Sequence, residues 1–225
     1  MCGRFIQCAT GAVLAARFQL ATPPDLVPRY NVAPSQPIGA VRIAGDGGRE
    51  WVTLRWGLVP AWAPEPRTAY GTINARAETA AEKPTYRQAF RRRRCLIPAD
   101  GFYEWHSVGR GKQPYCIAPA DGRPVAFAGL WERWERDGQV LESGTILVTA
   151  ANALLAPIHD RMPAILDPAD EARWLDPRVT DPAVLRPLLV PCPPERLRIW
   201  PVGTAVNAAR HDGPELMAPV AFPAA

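Results

Sequence analysis

Apolar residues recur at helical spacing over residues 11–20, which predicts a first helix there. Residues 38–43 and 51–56 read as two strands around the glycine-rich turn 45–48, a hairpin signal. Residues 85–93 predict a short basic helix running into a strand at 95–97. Further strands are expected at 102–106, 115–117, 125–131 and 145–149, with helices at 167–174 and 182–188 and a loose tail over 218–225. The spacers between strands are too short for crossover helices, so the sheet should be mainly antiparallel. The 26 prolines are spread along the chain and favour short strands and irregular loops. No tract is biased enough to be a linker, and no internal repeat is visible. The expectation is one α+β domain over residues 1–225, with a barrel-like sheet core and short flanking helices.

Composition narrows the class. At 225 residues and 48% apolar content, the chain can bury a substantial core. Its five cysteines form an odd set with no C-x-x-C pair, so neither a disulfide framework nor a zinc site is encoded, and reduced thiols in a cytoplasm fit best. The apolar stretch at 12–20 is broken by Arg17 and is not read as a signal peptide. No other stretch approaches the ~20 apolar residues that span a bilayer, so a soluble protein without a membrane partner is expected. The net charge is +4, carried almost entirely by arginine, which permits a nucleic-acid partner without requiring one.

Chemistry concentrates at the start, in Met1-Cys2-Gly3-Arg4-Phe5. With Met1 removed, Cys2 carries an α-amine titrating near ~7.7–8.0 beside a thiol near ~8.5, a pair no internal cysteine has. The alternative is a cysteine that packs as a small hydrophobe. Elsewhere, polar residues interrupt apolar segments: Asn74 and Arg76, Glu104 between Tyr103 and Trp105, and His159-Asp160-Arg161 before Met162-Pro163. Each has a structural reading: Asn74 caps a turn, Glu104 points to solvent by strand alternation, and His159 satisfies a loop backbone. Together they supply an amide to orient a reacting group, a carboxylate to take a proton from the amine, a histidine acid or base, and arginines for an anion.

The ordered segments Met1-Cys2-Gly3-Arg4-Phe5, Tyr30-Asn31-Val32-Ala33-Pro34, Arg55-Trp56-Gly57-Leu58-Val59-Pro60-Ala61-Trp62, Asn74-Ala75-Arg76-Ala77-Glu78-Thr79, Arg94-Cys95-Leu96-Ile97-Pro98-Ala99-Asp100-Gly101-Phe102-Tyr103-Glu104-Trp105 and Ile158-His159-Asp160-Arg161-Met162-Pro163 carry a resemblance over nearly the whole chain. So do the closing Val206-Asn207 and Pro214-Glu215-Leu216-Met217. The chain resembles the SOS-response-associated peptidase family, whose members act as abasic-site shielding proteins on single-stranded DNA. The resemblance implies a covalent trap, in which the Cys2 amine forms a Schiff base with the open-chain aldehyde and the thiol closes a thiazolidine ring. By the same resemblance, Asn74 orients the sugar, Glu104 stands beside the terminal amine, and His159 assists ring opening. Arg76 and Arg161 match phosphate-contacting arginines, with Arg4 a third. Trp105 either stacks on a base or packs in the core. Met1 is removed by the protein itself, as the peptidase name suggests, or by methionine aminopeptidase. A lyase side reaction is implied. No cofactor, metal or obligate protein partner is expected, and the place of action is the cytoplasm, at the nucleoid when DNA is damaged.

Two rivals remain. An amino-terminal-nucleophile amidohydrolase, as in glutamine amidotransferases, also begins Met-Cys-Gly, with the thiol attacking an amide. The chain lacks the Asn-Gly-Glu segment of such a site. A non-catalytic single-strand binder would make Cys2 incidental. The run Arg91-Arg92-Arg93-Arg94 reads as a solvated helix face or an extension of a phosphate track.

Overall fold

The computed structural model describes residues 2–67, 70–109 and 111–221, so Met1 and the end of the expected tail, 222–225, lie outside the described residues. The chain begins with β1 (Phe5–Gln7), α1 (Gly11–Phe18), β2 (Arg29–Val32), β3 (Pro37–Ile43) and β4 (Arg49–Trp56). Next come β5 (Asn74–Arg76), α2 (Arg87–Arg92), β6 (Arg94–Ala99), β7 (Gly101–Val108), β8 (Gly111–Pro119), β9 (Val125–Arg136) and β10 (Gln139–Ala150). It closes with β11 (Arg161–Pro163), α3 (Glu171–Leu175), α4 (Pro182–Leu185) and β12 (Leu197–Pro201), with short 3-10 turns between. Among the described residues no helix is long and apolar enough to cross a membrane.

Local chemistry accounts for the elements that periodicity predicted. The Thr10 side chain accepts from the Val13 N–H and starts α1, Gln19 ends it in the left-handed region, and Leu14 and Phe18 point into the core. The long β9–β10 hairpin turns on Asp137 and Gly138, both at positive φ (50° and 74°). Gly39 in β3 is a close approach, since a Cβ there would stand 1.9 Å from the Trp51 ring.

The strands form two sheets. One is open and wholly antiparallel, in the order β12-β8-β7-β1-β2. The other runs β11-β10-β4-β3-β6-β9 with β5 added on β10, and because β9 also pairs with β10, five of its strands close on themselves. The architecture is therefore barrel-like but not one strict barrel. The sheets are mainly antiparallel, as expected, and the exceptions are β4 and β5, which both run parallel to β10. The short spacers constrain only strands adjacent in sequence, whereas β10 meets β4 and β5 after a long excursion. Phe5 and Phe102 of the open sheet pack edge-on against Trp56 and Phe127 of the closed one, with centroids 5.2 Å and 5.9 Å apart, so one core lies between the sheets, while another packs α1 to α4 against the closed sheet.

Other expectations need correction. β1, β2, β5, β11 and β12 were not anticipated; at three to five residues each they are too short to show a period. Part of the tail is tied down, with Val202 bridging Pro219 and the Val220 N–H donating to the Pro201 carbonyl. The arginine run is only half a solvated face. Arg91 and Arg92 are exposed, Arg93 pairs with Glu132 at 2.7 Å, and Arg94 is buried. The Arg94 guanidinium donates to the carbonyls of Phe90, Arg91, Trp174, Asp176 and Val179, capping the ends of α2 and α3.

Candidate active site

Alternation along β7 puts Phe102 and Glu104 on the same side, and Phe102 belongs to the core between the sheets. Glu104 therefore enters the inter-sheet space instead of pointing to solvent, and is 2% exposed. Cys2 joins that core just ahead of β1, where it is fully buried with its Sγ 3.8 Å from the Arg4 carbonyl oxygen. Asn74 is delivered by β5, which pairs with Ile146 of β10, while the Trp56 indole donates to the neighbouring Ile73 carbonyl at 2.9 Å. The Asn74 Nδ2 donates to the Cys2 carbonyl at 2.7 Å. Its Oδ1 is buried with no partner among the described residues, leaving an acceptor beside Cys2.

His159 ends a turn held by the Asn152 side chain, which accepts the Leu154 and Leu155 N–H groups, and its own N–H bonds to the Leu155 carbonyl. The ring Nδ1 accepts the Arg161 N–H at 2.9 Å, which leaves the proton of the neutral ring on Nε2. An Asp160 oxygen stands 3.0 Å from the same Nδ1, so Asp160 becomes its partner only when the ring gains a second proton.

Glu104, His159, Arg4 and Trp105 line one cleft of about 480 Å³, and so do Gly3 and Ile73, the chain neighbours of Cys2 and Asn74. Trp105 is half-buried in the cleft wall and not sealed in the core. Arg76 and Arg161 are not among the cleft's lining residues. They sit on β5 and β11, which flank β10, with Arg76 opposite Val148 and Arg161 opposite Ala150. Glu78 joins them: its carboxylate binds the Arg161 guanidinium at 2.5 Å, and the Arg161 and Arg76 charges help hold its pKa down against burial. Pro34, Lys112 and Asn207 also line the cleft and were not singled out by sequence reasoning as site residues. For Pro34 and Asn207 the only signal was membership of the quoted segments, and for Lys112 there was none. A second hollow of about 470 Å³, lined by Arg17, Arg123 and Arg196, holds none of the predicted residues.

Burial sets the protonation states. It lifts the Glu104 carboxyl to about 7, against the pull of the positive amino terminus. It also pushes the Cys2 thiol well above its ordinary range, helped by the negative charge of Glu104. The same burial, with the amino-terminal charge, lowers the His159 pKa, so that ring is neutral at pH 7. The cleft thus joins a carboxyl that changes charge near neutrality and a neutral imidazole, and the Cys2 thiol, buried within reach of the Glu104 charge, needs a base.

A family model described as SOS response associated peptidase (SRAP) matches residues 1–209. The chain is 41% identical to the abasic site processing protein YoqW of Bacillus subtilis (strain 168), over 96% of this chain and 99% of that relative. It is 33% identical to the abasic site processing protein YedK of Escherichia coli (strain K12), over 98% of this chain and 100% of that relative. A crystal structure of a protein from Bacteroides thetaiotaomicron superposes with a TM-score of 0.85 at 27% identity, covering 98% of this chain and 100% of the other.

Proposed function

We propose that this chain, which belongs to the SOS response associated peptidase family, processes abasic sites in single-stranded DNA by trapping their aldehyde on Cys2. The observation that carries the reading is the Asn74 bond to the Cys2 carbonyl, which holds the terminal residue beside a carboxyl titrating near 7. In the first step the neutral Cys2 amine, freed by loss of Met1, adds to the aldehyde carbon. Loss of water from that adduct leaves a Schiff base. The thiol then adds across the C=N bond, its sulfur bonding to carbon and its proton passing to nitrogen. The net reaction is amine, thiol and aldehyde to thiazolidine and water. Ring closure makes the link harder to reverse than an imine, because a second covalent bond must break.

Glu104 is the proton carrier: as carboxylate it takes protons from the amine and the thiol, and as acid it returns one to the departing water. A thiol whose pKa is raised by burial needs such a base. His159 donates through Nε2 to the ring oxygen as the sugar opens. Arg4, Arg76 and Arg161 hold phosphates, and Trp105 offers a face to a base. Removal of Met1 by the chain itself, and β-elimination from the Schiff base, belong to the same reading.

The test is incubation with single-stranded DNA bearing one abasic site. The parent, with Met1 shown absent by intact mass, is expected to give a denaturant-resistant adduct. Cys2→Ser is expected to give only a borohydride-trappable imine. An adduct that persists in Cys2→Ala sinks the mechanism.

A further inference from the structure

We propose that Asn207 is a positioning residue for Trp105, and that residues 204–212 form a strap which fixes the stacking face of the cleft. The role of that face toward a base rests on the DNA reading above; the positioning does not. The Trp105 indole has a single donor, and it is spent on Asn207, Nε1 to Oδ1 at 2.7 Å. Asn207 lies 102 residues further along the chain, so nothing local holds the two together.

What holds them is a network behind the strap. The buried Asn31 amide donates to the carbonyls of Val206 and Ala208, each at 3.2 Å, and of His211 at 2.8 Å. Asp212 returns the contact, accepting the Asn31 N–H at 2.9 Å, the Tyr30 N–H at 2.5 Å and the Arg29 guanidinium. Arg29 also binds the Gln36 side-chain oxygen at 2.7 Å, and that oxygen accepts the Ala33 N–H, so the Pro34 turn is braced by the same residues. Val206, next to Asn207, is fully buried. The strap therefore presents Asn207 from a fixed backbone, although its side chain is exposed.

An indole free to choose among rotamers pays an ordering cost when a base stacks on it, whereas a pre-oriented indole does not. Positioning should therefore appear in substrate capture and not in the bond-forming step.

Two readouts separate the claims. In DNA-free protein, Asn207→Ala is expected to move the Trp105 indole N–H resonance, assigned with Trp105→Phe, and Asn207→Asp, which keeps the accepting oxygen, to restore it. With abasic single-stranded DNA, Asn207→Ala is expected to raise the half-saturating oligonucleotide concentration about fivefold, the net worth of one hydrogen bond, at an unchanged saturating rate. Adding Asn207→Ala to Trp105→Phe should change little more, because the donor is already gone. An indole resonance unmoved by Asn207→Ala overturns the positioning. A moved resonance with parental concentration dependence overturns the stacking role. A parent that forms no adduct overturns the DNA reading and the stacking role with it, while the indole resonance still decides the positioning.

Discussion

Burial keeps the Glu104 carboxyl near neutrality, and the same burial costs the fold stability. Its folded pKa of about 7 lies above the ordinary 4.5, so its contribution to stability is fully present below 4.5 and is lost as pH rises through 7. Glu104→Gln removes that loss. Urea unfolding is expected to find the variant about 1–3 kcal/mol more stable than the parent at pH 8, with the gap closing toward pH 4. In the same variant the adduct is expected to form slowly and to lack the decline below pH 7 that protonation of the carboxylate should give the parent, as rates measured across pH would check. For His159→Ala we expect adduct formation slowed about 100-fold on a natural abasic site but little changed on an oligonucleotide aldehyde that cannot cyclise, since only the former needs its ring opened. Equal slowing on both substrates would remove His159 from ring opening.

Arginine 94 illustrates what an element end requires. Five carbonyls from α2, α3 and the loop after α3 converge on one guanidinium, whose planar fork reaches them all, while burial lowers its pKa to about 10. Arg94→Ala strands those carbonyls and is expected to cost about 3 kcal/mol in thermal or urea unfolding, and Arg94→Lys to recover only part of it. Arg91→Ala, at an exposed position, should be close to neutral. The sequence shows four identical letters, and only packing separates them. The short strands teach the same lesson. β5 and β11 carry Asn74, Arg76 and Arg161, yet three residues hold too few positions for a period to be read. Their extended form is imposed by pairing with β10.

For the whole molecule, the packing between the sheets and the position of the amino terminus are one problem. Phe5 packs against Trp56 and Phe127 and sits three residues after Cys2. Phe5→Ala is expected to cost about 3–5 kcal/mol by unfolding and to lower adduct yield even where the protein remains folded, because the anchor of the terminus is lost. With a net charge of +4, strand capture should weaken steeply with salt. Replacing Arg76 or Arg161 by Gln should reduce the slope of log affinity against log salt by about 1 each, and an unchanged slope would remove that arginine from the phosphate path.

Properties set by covalent order or by a repeating period could be read from the chain alone. These were the family resemblance, the position of Cys2 beside the initiator methionine, the helix α1, and the strands within β3, β4 and β6 to β10. The tertiary structure decided everything that depends on contacts between residues far apart in sequence. It turned Glu104 inward with its pKa near 7, buried Cys2 and Arg94, and closed the second sheet by bringing β4 alongside β10. It also brought Asn207 to Trp105 across 102 residues. Such outcomes lie beyond local pattern because burial and orientation are properties of the packed neighbourhood, which no window along the chain contains.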